Sequence, residues 1–158
     1  MESSVSVSTC LWFDDQAEEA VNFYCSLFPD TKITQVNRHH NPDGTEGNAF
    51  ILAFELQGQK YTAMNGGPRY KLTEAVSIQV SVETQSEIDR LWTALSDRGK
   101  ELMCGWVTDR FGLSWQILPR QLPQLLGNKN RAAAERAMQA MMGMVKFDIA
   151  ALETAAKG

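Results

Sequence analysis

The stretch Ala75-Val76-Ser77-Ile78-Gln79-Val80-Ser81-Val82 and the run that follows it, Glu83-Thr84-Gln85-Ser86-Glu87-Ile88-Asp89-Arg90-Leu91-Trp92-Thr93-Ala94-Leu95, decide the reading of the fold. The first eight residues alternate, with Val76, Ile78, Val80 and Val82 on one side and Ser77, Gln79 and Ser81 on the other. That period of two is a strand's. At Thr84 the period changes. Thr84 and Glu87 stand at capping-box spacing, and Ile88, Leu91, Trp92 and Leu95 recur at i, i+3, i+4 and i+7, so a helix starts there. Gly99 falls where a glycine commonly ends such a helix. Short strands are predicted after it, over Glu101 to Cys104, Trp106 to Asp109 and Leu113 to Leu118, with Asp109-Arg110-Phe111-Gly112 as the last turn.

The same order stands upstream. Val5 to Phe13 reads as a strand that stops at Asp14-Asp15. A helix follows, capped by Asp15 with Glu18 three residues on. Its apolar stripe is Ala17, Ala20, Val21, Tyr24, Leu27 and Phe28, and Pro29-Asp30 ends it. Thr31 to Arg38, Ala49 to Leu56 and Lys60 to Asn65 are the next strands, joined by the turn Asn41-Pro42-Asp43-Gly44 and a hairpin at Gly58-Gln59. Gly66-Gly67-Pro68 is the internal boundary. Strand, helix and three strands therefore occur twice, an internal repeat that fixes an α+β class. One domain is expected over 1–158, with repeats over about 5–66 and 75–118 and a helical extension over about 119–158. In that extension Asn130 caps Arg131 to Met142, Gly143 stops it, and Asp148 to Ala156 forms a last short helix. Met138, Met141, Met142 and Met144 read as its packing face.

Composition bounds function. The 158 residues are 44% hydrophobic and carry a net charge of −4. With pI near 5.2 there is no basic stripe for nucleic acid. No apolar run approaches the ~20 residues of a membrane span, and Met1-Glu2-Ser3-Ser4 lacks the features of a leader, so a cytoplasmic location is expected. Cys10, Cys25 and Cys104 show no CxxC spacing and no local base, and read as small core residues. His39 and His40 are strand neighbours pointing to opposite faces, which suits a solvated hairpin end better than a metal grip. Asp14-Asp15 and Glu18-Glu19 are explained by capping and the helix dipole.

Three strings carry a resemblance: Cys10-Leu11-Trp12-Phe13-Asp14, Ala17-Glu18-Glu19-Ala20-Val21-Asn22-Phe23-Tyr24, and Trp106 through Ile117. With the element order, they resemble the vicinal oxygen chelate superfamily, which includes glyoxalase I and bleomycin-resistance proteins. Within it they resemble the PhnB-like, 3-demethylubiquinone 3-methyltransferase-like branch, and the ending Lys146 to Glu153 is similar to that branch as well. The resemblance implies a curved eight-stranded mixed sheet whose halves form a cleft, with helices outside, and a homodimer. It also implies, in metal-dependent members, four inward ligands, mostly His and Glu, for a Lewis-acid cation. Carried over, those sites fall on Thr9, on Asn65 or Ala63, on Ser77 and on Gln116. None is a His, Cys or carboxylate, so no metal and no cofactor are expected. A methyltransferase of the doubly wound type would need a glycine-rich turn that this sequence lacks.

The expected ligand-binding residues are Thr9, Phe13, Asn65, Ser77, Gln79, Trp106, Arg110 and Gln116. If Thr9 faces the cleft, alternation brings Leu11 and Phe13 with it, while Ser77, Gln79 and Ser81, with Ser114 and Gln116, form a polar lining. A wet, unused groove is the competing reading of that polarity. Trp106, Asp109, Arg110 and Phe111 near the rim read as a source of stacking, a charge pair and anion recognition, and Asp109-Arg110 reads equally as a turn-stabilising pair. Three function classes stay open: metal-free capture of a small organic molecule, an enzyme of the superfamily (lyase, dioxygenase or methyltransferase-like by family label), and an assembly protein using its methionine-rich helices.

Overall fold

In the computed structural model residues 4–158 are described; residues 1–3, part of the stretch read above for a leader, lie outside them. The chain forms two compact units, 1–72 and 73–158. The first unit contains β1 (Thr9–Phe13), α1 (Ala17–Leu27), β2 (Thr31–His40), β3 (Glu46–Leu56) and β4 (Gln59–Asn65). Its four-stranded mixed sheet has the order β1-β4-β3-β2, with β1 parallel to β4 and the other pairs antiparallel. The apolar stripe of α1 packs on one side of this sheet, where Ala17, Ala20, Val21 and Tyr24 are buried together with Leu11, Leu52, Phe54 and Ala63.

The second unit repeats the plan with β5 (Ser77–Val82), α2 (Gln85–Ser96), β6 (Lys100–Glu101), β7 (Trp106–Thr108) and β8 (Ser114–Pro119), in sheet order β5-β8-β7-β6. It continues into α3 (Leu122–Leu126), α4 (Arg131–Met142) and α5 (Ile149–Lys157). The two βαβββ repeats and the helical ending read from the sequence are therefore present, each repeat making its own sheet. The Thr84–Glu87 capping box forms as predicted, and Asn130 and Asp148 cap α4 and α5. Among the described residues no helix is long and apolar enough to cross a membrane.

Several local readings are corrected. β1 begins at Thr9, not Val5, because its partner runs out: Thr9 pairs with Tyr61, and the β3–β4 turn lies just beyond. That turn is Gln57-Gly58, both at positive φ, one residue earlier than read. Asp15 does not cap α1. The N-cap is Gln16 with no side-chain bond. After α2 the left-handed residue is Arg98 (φ 56°), not Gly99; Gly99 is needed instead because a Cβ there would sit 2.3 Å from the Thr108 carbonyl oxygen. The predicted Glu101–Cys104 strand shrinks to Lys100–Glu101, since Cys104 and Gly105 both turn at positive φ. The methionines are not the packing face of α4. Met138 and Met142 are exposed, and Ala133 and Ala137 are the buried residues. Nor are the cysteines core residues: Cys10 is exposed, and Cys25 and Cys104 are half-buried. Partial burial pushes the Cys25 thiol up from its ordinary range, which keeps it protonated.

Glu18, on the first turn of α1, ties the helix to β2 by accepting two hydrogen bonds from Arg38, one of them 3.0 Å from Nη1. Those bonds, more than the bare charge of the guanidinium, hold the Glu18 carboxyl below its ordinary range. A carboxyl lowered by folding stabilises the protein above its unfolded pKa and loses that contribution as pH falls through the folded value. Arg38→Met is therefore expected to lower the melting temperature slightly at neutral pH, as partly exposed ion pairs do. The difference from wild type should shrink as pH is taken through and below the ordinary glutamate range. A difference that stays constant from pH 7 down to acid would mean that Arg38 acts by packing and not by charge.

Candidate functional site

Strand register sorts the side chains of the second sheet onto two faces. Trp92 Nε1 donates to Glu101 Oε1 (2.6 Å), so Glu101 lies on the α2 side. Glu101 pairs with Val107, Val107 with Trp115, and Trp115 with Ile78, so these share that face. Val107, Trp115 and Ile117 are fully buried there. The opposite face carries Ser77, Gln79, Gln116 and Trp106, because Gln79 pairs with Gln116 and Gln116 with Trp106. The side chains of Gln79, Gln116 and Ser77 are connected. Gln116 Nε2 donates to Ser77 Oγ at 2.8 Å, and Gln79 Nε2 donates to Gln116 Oε1 at 3.4 Å. On the same face Thr108 and Ser114 share a hydroxyl–hydroxyl bond of 3.2 Å. Four of the residues expected at a ligand site thus lie together, turned away from α2.

The turn after β7 is organised from inside. Asp109 is buried, its Oδ1 accepts from the main-chain N–H of Phe111 (2.9 Å) and of Leu113 (3.1 Å), and its Oδ2 accepts from Trp115 Nε1 (2.9 Å). The turn-stabilising role of Asp109 is therefore the one the structure shows. Arg110 lies with its guanidinium carbon 4.6 Å from the centre of the Phe111 ring, a cation–π arrangement that presents a planar, half-buried surface beside Gly112.

The residues expected from the first repeat sit differently. Asn65 Oδ1 accepts from the Ala17 N–H (2.8 Å) and its Nδ2 donates to the Ala49 carbonyl (2.9 Å). Asn65 therefore points to the α1 side and supplies the cap that Gln16 does not. Phe13 pairs with Asn65, Leu11 with Ala63 and Thr9 with Tyr61, so all three share that side. Phe13, Leu11 and Ala63 are buried core residues. The face turned away from α1 carries Cys10, Trp12, Thr62 and Met64 instead. Trp12 is held there by its Nε1 bond to the Gly67 carbonyl (2.9 Å) and by an edge contact with Tyr70, 5.0 Å between centroids. The sequence offered no way to see this, because Leu11, Trp12 and Phe13 are all apolar and set no alternation. Asn65→Ala is expected to cost about 1–2 kcal/mol in urea unfolding, as the loss of a helix cap does. Asn65→Asp, which keeps the acceptor, should recover most of it; equal losses in both variants would show that the Ala49 bond matters more.

The metal implied by the superfamily meets a poor donor set. Ser77 and Gln116 are neutral, and Thr9, Asn65 and Ala63 point to the α1 side. Zinc takes nitrogen, thiolate or carboxylate ligands and magnesium takes hard, mostly anionic oxygens, so these residues do not fit either ion. Among the described residues no three of His, Cys, Asp or Glu group as a site would require. His39 and His40 are both exposed, His39 against the Phe50 ring (5.3 Å between centroids).

Comparison with known proteins adds the relationship. The family model described as 3-demethylubiquinone-9 3-methyltransferase matches residues 5–118. A PhnB protein from Bacillus cereus, provisionally described by that same name, is 34% identical over 73% of this chain and 99% of its own, with a TM-score of 0.66. Protein PA1353 from Pseudomonas aeruginosa shares the fold at 20% identity (TM-score 0.58; 73% of this chain, 98% of that one). The fosfomycin resistance protein FosX from Listeria monocytogenes shares it at 12% identity (TM-score 0.51; 73% and 93%). No curated protein matches the chain. The family match ends at Leu118, so the helices that follow lie outside it.

Proposed function

Because the chain belongs to the family described as 3-demethylubiquinone-9 3-methyltransferase, the PhnB-like branch of the glyoxalase and bleomycin-resistance superfamily, we propose that it captures a small organic molecule on the polar face of its second sheet, without the divalent ion of its metal-dependent relatives. The observation that carries this is the hydrogen-bonded run Gln79–Gln116–Ser77 on the face turned away from α2. A sheet face that stays polar in a compact unit meets water or a ligand. This one offers amides and hydroxyls beside Trp106, the combination of few polar groups and an aromatic wall on which small-molecule sites are built.

Capture suits the face better than acid–base catalysis. A general acid or base must titrate within reach of the substrate, and Ser77, Gln79, Gln116 and Trp106 cannot do so. The methyltransferase description is accordingly read as a family name. The proposal includes a homodimer acting in the cytoplasm, and one functional domain over 1–158, on the strength of the family relationship. Sedimentation at micromolar concentration giving a single-chain mass would remove the dimer.

The test is a thermal-shift screen of small organic compounds, run with and without divalent ions, followed by Gln116→Leu. A compound that raises the melting temperature without added metal is expected to bind this variant about 5- to 150-fold more weakly, because its polar partners are left unpaired. The unliganded melting temperature should change little. Undiminished affinity for that compound, or an unfolded variant, would make Gln116 structural.

A further inference from the structure

Resting on that reading of the site, we infer that the face selects uncharged ligands, ones that accept a hydrogen bond at Ser77 and donate one at Gln79. Two independent features lead there. The first is the direction of the side-chain run. Gln79 donates to Gln116, and Gln116 donates to Ser77 Oγ. A serine hydroxyl that has accepted a bond still has its own proton to give. At the other end, Gln79 gives one of its two amide N–H groups to Gln116 and keeps its carbonyl oxygen as an acceptor, with the second N–H still to give. The run therefore ends in a donor at Ser77 and an acceptor at Gln79, two residues apart on one strand and so on the same side of it.

The second feature is charge. The residues that β5, β7 and β8 place on this face are Ser, Gln, Thr, Trp and Leu, with no ionisable side chain among them. Ionisable residues begin at Lys100 on the edge strand, placed on the face by its pairing with Thr108, and just past the ends of β5 and β8, where Glu83 and Arg120 pair with each other. An anion lying against Gln79 and Gln116 would give up hydration without gaining a counter-charge, and so would a cation. A neutral carboxamide or hydroxy-carbonyl compound matches both ends of the run and can set an aromatic or apolar part against Trp106. This differs from what the superfamily's metal site does, where a cation draws anionic oxygens. Replacing charged ligands with an amide and a hydroxyl removes that attraction and leaves directional, neutral recognition.

Three probes of one shape and different charge separate the cases: benzamide, benzoate and benzylammonium, titrated at constant ionic strength. The readout is the side-chain amide resonances of Gln79 and Gln116 and the indole resonance of Trp106 in nitrogen-15 correlation spectra. Saturable shifts are expected with benzamide, at an affinity about tenfold or more above that of either ion. Ser77→Ala, which removes the donor end but no core contact, should weaken benzamide while leaving the weak response to the ions unchanged. If either ion moves these resonances at equal or lower concentration than benzamide, selection for uncharged ligands is wrong while the site itself stands. If none of the three moves Gln116 or Trp106, both this inference and the site reading fall.

Discussion

Gly105→Ala is expected to lower stability by about 3 kcal/mol, roughly 6–12 °C in melting temperature for a chain of this length. Two effects add. Gly105 has φ 78°, where an L side chain costs about 1–2 kcal/mol. A Cβ there would also stand 2.4 Å from the Phe147 ring and 2.9 Å from the Ile117 carbonyl oxygen. Neither can retreat easily. Phe147 is buried, and the Ile117 N–H is itself bonded to the Gly105 carbonyl at 2.8 Å. Gly105 also joins the helical extension to the second sheet: its N–H donates to Val145 (2.8 Å), and the Cys104 N–H donates to Met144 (2.8 Å). The damage should therefore spread to residues 144–149, seen as faster amide exchange there. Gly112→Ala is the control, since Gly112 has φ 91° with nothing within 4 Å of the added carbon, and it should cost only the backbone part. Equal losses at the two glycines would show that the Phe147 contact contributes nothing. In the double variant Gly105→Ala, Phe147→Ala the losses should be less than additive, because the second change removes the clash.

The extension that Phe147 anchors shows where the sequence stops being legible. Its helices could be read, because Asn130 and Asp148 are local caps and a cap is a property of three or four consecutive residues. Its attachment could not. Gln85 donates to the Phe147 carbonyl and accepts from the Ile149 N–H, both at 2.9 Å, and Lys146 pairs with Asp89 at 2.6 Å. These contacts join positions about sixty residues apart, and nothing local in Gln85 or Lys146 announces them. The same division runs through the candidate site. β5 alternates cleanly, so the common face of Ser77 and Gln79 is legible from the sequence alone. β1 has three apolar residues in a row, so its facing was decided by what packed on it: α1 took Leu11 and Phe13 and left Trp12 for the other side. A reading that put Phe13 beside the ligand had no pattern to correct it. The role of Asn65 is illegible for a related reason, since its spacing says where it stands on β4 and nothing about the bare helix start it completes.

Asp109→Ala should be the most damaging polar substitution in the second unit, at about 3–5 kcal/mol. The carboxylate is only 3% exposed and accepts from three donors, two of them main-chain N–H groups of its own turn and the third the indole of Trp115, which is fully buried. Alanine leaves all three without this acceptor, and a buried donor stripped of its partner costs about 1–3 kcal/mol. The turn can relax enough to hydrate the Phe111 N–H, but Trp115 cannot leave the core, which is why the expected loss stays below the full sum. Asp109→Asn makes the distinction sharper. Its single oxygen can keep both turn bonds, and its NH2 group then faces the Trp115 N–H, donor against donor. About 1–3 kcal/mol is expected for that variant. Adding Trp115→Phe to Asp109→Asn removes the opposed donor, so the pair should lose less than the two single variants together. Urea unfolding followed by far-ultraviolet circular dichroism measures all of these. Asp109→Ala within about 1 kcal/mol of wild type would mean that water replaces the carboxylate, a result inconsistent with a dry turn. The consequence for the proposed site is direct. The turn that Asp109 ties down carries Arg110 and Phe111 and leads into β8, where Gln116 stands. Asp109→Asn should therefore weaken ligand capture as well as stability, and Asn65→Asp, far along the chain on the α1 side of the other sheet, should leave capture unchanged.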